Sequence, residues 1–282
     1  MEVERQSAGG REAFVTLLSS RSYYPGVVAL ARSLRQFSAR ELLVLTTPGD
    51  IPEHQRLELE AVGSDIRVVP VERVPPPEGA TPFDPSHLDC FTKFRMFELK
   101  NYTKFVYLDA DMLVVGDVDE LFSYPSFAAA PNFQLKKSRR GENLSKFSDS
   151  SFNAGLFVVD RDEGLHRQFL DHYAHYDKAW SWADQSLLND FFKGGKWNQV
   201  PHYFNMMKRC FLYRPDLWEV DKIKIIHYTG GKPWQTPAEW KEKDFEDNTP
   251  YEPLFALWRD AHAGRFPLTV PQAPTSSSST SF

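Results

Sequence analysis

Apolar positions fall in short runs from the start of the chain. Ala13–Leu18 is an apolar run of strand length, and Glu41–Thr46 and Asp65–Pro70 repeat the pattern. Between them, Pro25–Gln36 places Val27, Leu30, Ala31 and Leu34 at helical spacing with Pro25 near its start, and Pro52–Val62 is also helical in pattern. Strand and helix thus alternate up to Pro70, which predicts a parallel sheet covered on both faces. Pro75–Pro77 breaks the alternation with a loop. Beyond it, Leu88–Leu99 reads as a helix and Lys104–Leu108 as a fourth strand. Leu156–Val159 reads as a further strand, Gly164–Tyr176 and Asp184–Phe192 as helices, and Lys224–Ile226 as a late strand. Neither a repeat nor a linker interrupts this order, so residues 1–271 are expected to form one domain. Gln272–Phe282 is rich in Ser, Thr and Pro and is expected to be a disordered tail.

Composition narrows the functional classes. The chain of 282 residues is 41% hydrophobic and 25% charged with a net charge of −5, so bulk charge gives no reason to expect nucleic acid or an anionic membrane as partner. Any phosphate binding must come from local geometry. Aromatic residues make up 14%, and core filling is the first explanation for most of them. The two cysteines, Cys90 and Cys210, are too few for a disulfide framework or a metal–cysteine cluster. Both lie among apolar neighbours and are expected to be buried thiols. Met1–Arg11 is charged and polar, unlike a signal peptide, and no apolar run approaches membrane-spanning length.

In open α/β sheets, ligands bind beyond the carboxyl ends of the strands. The strand ending at Leu108 runs into Asp109-Ala110-Asp111. Carboxylates two apart on extended backbone point the same way and can share one hard divalent cation, with Mn²⁺ or Mg²⁺ suited to a diphosphate. Asp117-Val118-Asp119 and Asp160-Arg161-Asp162 have the same spacing, so the pattern is weak by itself. A second segment strengthens it. Ile223–Ile226 leads into His227-Tyr228-Thr229-Gly230-Gly231-Lys232-Pro233-Trp234, which offers an imidazole ligand, glycines that admit close backbone approach, and a lysine for phosphate. Ser151-Phe152-Asn153-Ala154-Gly155 reads as a small polar turn before a strand, either an ordinary turn or a sugar contact. Asp184 opens a helix, where a carboxylate also serves as a cap. Lys93, on the Leu88–Leu99 helix, is by default a solvated lysine.

The order Phe14-Val15-Thr16-Leu17, Phe105–Asp111, Phe152–Gly155, Asp184-Gln185 and His227–Trp234 resembles the family 8 retaining glycosyltransferases, and within them looks most like glycogenin. The resemblance covers residues 12–235. It implies a GT-A fold, a Rossmann-like mixed α/β sheet flanked by helices. It implies Asp109, Asp111 and His227 as Mn²⁺ ligands. Leu17, Ser19, Ser20 and Tyr23 match positions that hold uracil and ribose, and Ala110 lies between the metal carboxylates. Lys93, Asn153, Ala154, Asp184 and Gln185 match sugar-facing positions, and Gly230 and Lys232 match diphosphate contacts. Two departures stand out. Ser19 and Ser20 replace Thr and Asn of glycogenin, and the last motif is a residue shorter between its first glycine and Lys232.

The mechanism implied is departure of UDP, stabilised by the metal and Lys232, from a carbon that becomes oxocarbenium-like. Asp184 is the candidate carboxylate and Gln185 the candidate amide near that carbon. Same-face attack and double displacement both remain open, with the family favouring the first. A glycogenin proper would glucosylate its own tyrosine, for which Tyr213 is the candidate. The Met206-Met207-Lys208-Arg209 run differs from the Ser/Tyr-rich glycogenin segment, so an external acceptor is favoured. The compact sequence without an anchor is similar to the cytoplasmic glycogenin-like enzymes of protists and oomycetes that add α-galactose to a glycan on the Skp subunit of a ubiquitin ligase. The expectation is therefore a cytoplasmic, homodimeric enzyme with UDP-galactose preferred over UDP-glucose. A nucleotidyltransferase shares the sheet and the Asp-x-Asp pattern, but the His–Gly–Gly–Lys–Pro–Trp motif argues against it. The intact ligand set argues against a non-catalytic nucleotide-sugar binder.

Overall fold

A computed structural model of the chain describes residues 10–78, 81–82, 88–136, 138, 142–177, 179–243 and 247–274. The expected strand–helix alternation opens it: β1 (Arg11–Leu18), α1 (Tyr24–Leu34), β2 (Leu42–Thr46), α2 (Glu53–Glu60) and β3 (Ile66–Pro70). There follow β4 (Thr81–Pro82), a 3₁₀ run over Cys90–Glu98, β5 (Tyr102–Leu108), β6 (Met112–Val114), β7 (Ala128–Gln134) and β8 (Lys146–Asp160). The rest comprises α3 (Glu163–Ala174), β9 (Ala179–Ser181), α4 (Asp184–Phe191), β10 (Asn198–Gln199), β11 (Met206–Met207), α5 (Cys210–Tyr213), β12 (Ile225–His227), α6 (Pro237–Lys243) and α7 (Glu252–His262). No helix among the described residues is long and apolar enough to cross a membrane.

The main sheet has seven strands in the order β10-β7-β8-β5-β1-β2-β3. β1 pairs in parallel with both β2 and β5, whereas β8 runs antiparallel to β5 and β7, so the sheet is mixed. The chain winds outward through β2 and β3, then returns to the other side of β1 as β5. The crevice at the ends of β1 and β5 is therefore a topological switch point, where open sheets bind ligands. Alternation along β1 explains its burial on both faces. Phe14 and Leu18 join the apolar layer under α1, while Ala13, Val15 and Leu17 join the layer on the opposite face. A second sheet, β11-β12-β6, carries a third apolar layer that includes Leu113, Ile226, Leu254, Phe255 and Trp258. α1 is buried on more than the one face its spacing predicts, because Ala29 packs into this third layer while Val27, Leu30, Ala31 and Leu34 pack on the main sheet.

Several expectations change. The segment 88–99 winds as 3₁₀ turns over Cys90–Glu98 rather than as an α-helix. At three residues per turn, Phe91, Phe94 and Phe97 line up as one buried row, and Lys93 is drawn inward rather than solvated. Ser151–Gly155 is not a turn but the middle of the fifteen-residue strand β8. Its polar side chains tolerate that position because they find partners across the chain, as described below. Cys210 is buried as expected, but Cys90 is only half-buried, and both are free thiols. Trp218 Nε1 donates to the carbonyl of Pro271, the last residue of the expected domain, at 2.9 Å, and Ala273, inside the expected tail, packs on the third layer. Residues 275–282 of that tail, and Met1–Gly9, lie outside the described residues.

Gly26, in the first turn of α1, lets the helix rest on the loop after β5. A Cβ there would lie 2.4 Å from the Ala110 carbonyl oxygen and 2.8 Å from the Trp234 ring. Gly26→Ala must push α1 away from backbone, which cannot yield as a flexible side chain would. Urea denaturation should show a loss of about 1–3 kcal/mol; unchanged stability would mean that this contact is slack.

Candidate active site

The acidic end of β5 is the centre of the site. Asp109 N–H donates to the Gly155 carbonyl at 2.8 Å, which ties the turn to the neighbouring strand β8. β6 then pairs antiparallel with β12, placing His227 opposite Met112, one residue after Asp111. Tyr228 N–H closes the arrangement by donating to the Asp111 carbonyl at 3.0 Å. As a result, Asp109, Asp111 and His227 each present a ligand atom, all within 4.8 Å of one another. The other two Asp-x-Asp segments have structural roles. Asp162 caps α3, accepting from Leu165 N–H at 2.6 Å, while Asp119 accepts from Ser38 Oγ at 2.5 Å.

The hydrogen-bond relay behind His227 bears on whether a cation fits. Gln185 Oε1 accepts from Asn153 Nδ2 at 2.9 Å and from Ala154 N–H at 3.2 Å. Asn153 Oδ1 accepts from Gly155 N–H at 3.0 Å and from Asn205 Nδ2 at 2.9 Å. Asn205 thereby turns its oxygen toward His227 Nδ1, 2.8 Å away, so Nδ1 carries the proton. The other nitrogen, Nε2, points its lone pair at Asp111 Oδ1, 3.1 Å away, and at Asp109 Oδ2, 4.0 Å away. Electron pairs that face one another at such distances need a proton or a metal ion between them. Two carboxylates and an imidazole oriented from behind are a donor set suited to a divalent transition cation. Asn205 was not singled out by the sequence, because a buried asparagine carries no periodic signal.

Two lysines set the electrostatics. Lys93 Nζ lies 2.7 Å from Asp184 Oδ2 and 3.3 Å from Asp109 Oδ1, and it is 2% exposed. Burial alone would lower its pKa, but Asp109 and Asp184 outweigh that and raise it well above the usual lysine value. Tyr107 OH also donates to Asp109 Oδ1, at 2.9 Å. Lys232 Nζ donates to Asp111 Oδ2 and, at 3.0 Å, to the Tyr228 carbonyl. Burial would raise the Asp111 pKa, but Lys232 holds it well below the usual carboxylate range.

Asp184 is not the cap of α4. It is the first residue of the helix, and the cap position is Ala183, which is buried with φ 48° and ψ −128°. A residue with a Cβ in that region stores about 1–3 kcal/mol of strain, and such strain is found where surrounding contacts over-determine the backbone. Here Asp184 is held inward by Lys93, while Trp182 N–H is held by Ser186 Oγ at 2.7 Å.

The other expected site residues divide. Gln185, Asn153 and Ala154 join the relay. The Tyr23 ring centroid lies 5.7 Å from both Lys232 Nζ and the Trp234 ring centroid, so it belongs to the same group. Gly230 sits in the loop before Lys232 with φ 75°. Leu17 is buried at the end of β1, and the Ala110 carbonyl abuts Gly26. Ser19 and Ser20 begin the turn after β1, where Ser20 Oγ accepts from Ser22 N–H at 3.3 Å; neither bonds to the carboxylate cluster. Gly155 is the residue that the sequence reading undervalued. A Cβ there would lie 2.5 Å from His227 Cε1 and 2.9 Å from Asp109 Oδ2, so only glycine lets these two meet.

The switch-point crevice, its carboxylate–imidazole cluster, the buried lysines and the glycine-rich loop together suit an enzyme of the transferase class. The chain belongs to glycosyl transferase family 8, whose sequence profile matches residues 14–238. Galactinol synthase 2 of Arabidopsis thaliana is 27% identical over 271 residues, covering 87% of this chain and 80% of that protein. UDP-glucuronate:xylan alpha-glucuronosyltransferase 1 of the same plant is 28% identical over 244 residues, covering 82% of this chain but 34% of the longer relative. Among solved structures, the galactosyltransferase LgtC in complex with donor and acceptor sugar analogs matches with a TM-score of 0.58 at 18% identity, covering 92% of this chain and 98% of that one. The fold is thus that of the GT-A glycosyltransferases.

If Asp109 and Asp111 hold a cation against the leaving diphosphate, Asp109→Ala and Asp111→Ala should each lower kcat by about 10²–10³-fold. Both should also weaken Mn²⁺ binding, followed directly by electron paramagnetic resonance. Full transferase activity in excess EDTA would eliminate this role.

Proposed function

We propose that the chain is a retaining hexosyltransferase that takes a UDP-sugar, with UDP-galactose preferred, and transfers the sugar to an acceptor other than itself. The observation that carries this reading is the single connected cluster of Asp109, Asp111 and His227 with Asp184, Lys93 and Gln185 at the switch point. A divalent cation bound there, Mn²⁺ or Mg²⁺, would neutralise charge developing on the diphosphate. Lys232 adds a second positive charge from the glycine-rich loop. Lys93 fixes the Asp184 carboxylate, and Asn153 fixes the Gln185 amide, so both groups face the sugar without reorganising. Galactose is favoured because two of the similar proteins are named as a galactinol synthase and a galactosyltransferase. Glucose differs only at one hydroxyl, and a pocket that hydrogen-bonds that hydroxyl discriminates strongly.

Two features support an external acceptor. Tyr213 ends the short helix α5, is half-buried against the third apolar layer, and its carbonyl accepts from Asn143 Nδ2. Arg214, next in the chain, is clamped to Asp216 at 2.6 and 2.8 Å and to the Ser145 carbonyl at 2.9 Å, so this segment is braced rather than free to reach an active centre. Trp182, two residues before Asp184, is 60% exposed, the most exposed of the large hydrophobic side chains among the described residues. Its ring offers an acceptor sugar a surface for stacking. A glycan on another protein, such as a ubiquitin-ligase Skp subunit, is an acceptor of this kind. A glycogenin-type self-glucosylating enzyme is the alternative.

UDP release to water with Mn²⁺ should be fastest for UDP-galactose in a panel that includes UDP-glucose and UDP-glucuronate; a slower rate than with either would change the donor assignment. Mass spectrometry after incubation with each donor should find no hexose on the protein. Hexose on Tyr213, lost in Tyr213→Phe, would replace the external acceptor with self-glucosylation. The homodimer implied by the family resemblance is checked by sedimentation at micromolar concentration, where a monomer would remove it.

A further inference from the structure

The Met206-Met207-Lys208-Arg209 run is unlike its glycogenin counterpart, and the proposed reaction leaves it unused. Lys208 is fully buried, an expensive place for an ammonium group unless polar partners meet it. Its backbone N–H donates to the His227 carbonyl at 2.9 Å. Its Nζ donates to the Gly231 carbonyl at 2.8 Å and to Asn248 Oδ1. One residue therefore grips both ends of the segment that starts at the cation ligand His227 and delivers Gly230 and Lys232. Tyr251 and Phe255 flank the ammonium at 4.9 and 5.5 Å from their ring centroids, both rings fully buried. Tyr228 OH adds a further tie, donating to the Leu254 carbonyl at 2.8 Å. Asn248 also presses on the loop directly: a Cβ on Gly231 would lie 2.5 Å from its Nδ2.

We propose that Lys208 is a positioning residue for the diphosphate of the donor, holding the loop 227–232 in the shape that presents Lys232, and that Asn248 and α7 are part of this device. The inference rests on the UDP-sugar reading above. Packing alone does not ask for a lysine here, because Met206 and Met207 beside it are apolar and buried. What the ammonium supplies is a fixed donor for a backbone carbonyl in a loop with two adjacent glycines, whose freely turning peptides need an outside anchor to set their direction. Asn248, Tyr251 and Phe255 lie beyond residue 238, where the family profile ends, so the anchor is built from a part of the chain that the family pattern does not describe.

The test separates the phosphate part of donor binding from the nucleoside part. Affinities for UDP and for uridine are measured with Mn²⁺ by calorimetric titration on the full chain and on Lys208→Met, whose side chain is similar in length and unbranched. UDP affinity should fall about tenfold or more, while uridine affinity stays within about threefold. Gly231→Ala disturbs the same carbonyl from the Asn248 side and should give the same selective loss, which keeps the idea testable should Lys208→Met fail to fold. Equal losses for both ligands, or no loss in a folded variant, would show that Lys208 only supports the fold. If the wild-type chain binds neither UDP nor uridine, the UDP-sugar reading itself fails, and this inference with it.

Discussion

Asp109 and Asp184 approach the same buried ammonium, and the architecture is organised around that meeting. A lysine at 2% exposure is tolerated only while its carboxylate partners stay in place. Those partners come from the end of β5 and the start of α4, and the lysine comes from the 3₁₀ run. Three elements separate in sequence are thereby fixed in relative position at the switch point. The strained backbone at Ala183 follows from the same requirement, since α4 must begin where its first carboxylate turns inward.

Small residues supply the second constraint. Gly26 brings α1 onto the loop between the two carboxylates, Gly155 lets the imidazole approach Asp109, and Gly231 makes room for Asn248. Each closes a distance that a single methyl group would hold open. These contacts transmit the rigidity of the sheets to Asp109, Asp111 and His227, so the geometry of the centre is set by packing as much as by its charges.

The legible part of the sequence was the part with period or spacing. The β1–β3 alternation, the apolar face of α1, and the trio of Asp109, Asp111 and His227 all followed from pattern, motif order or family resemblance, and the structure brings that trio together. What the pattern misplaced or missed has the opposite character. Phe91, Phe94 and Phe97 are three apart, a spacing that helical and 3₁₀ windings share over so short a stretch. Asn153 inside a strand and Asn205 after it look like loop residues because their polarity is satisfied by groups far away in the chain. Lys208 looks like a surface charge for the same reason. Partnership across the fold leaves no periodic trace, so buried polar residues are misread as exposed ones.

The connectivity has a consequence for the order in which the protein matures. β1, β5 and both aspartates leave the ribosome early, but their third partner and the glycine-rich loop belong to a strand made far downstream, and the helix that braces that loop is later still. Chains emerge from the N-terminus and assemble as their contacts become available. A nascent or truncated chain that lacks β12 already holds Lys93, Asp109 and Asp184, yet has no imidazole and no loop to complete the centre. Competence for sugar transfer therefore waits on the synthesis of β12 and α7, and the same long-range closure makes it depend on α7 staying docked.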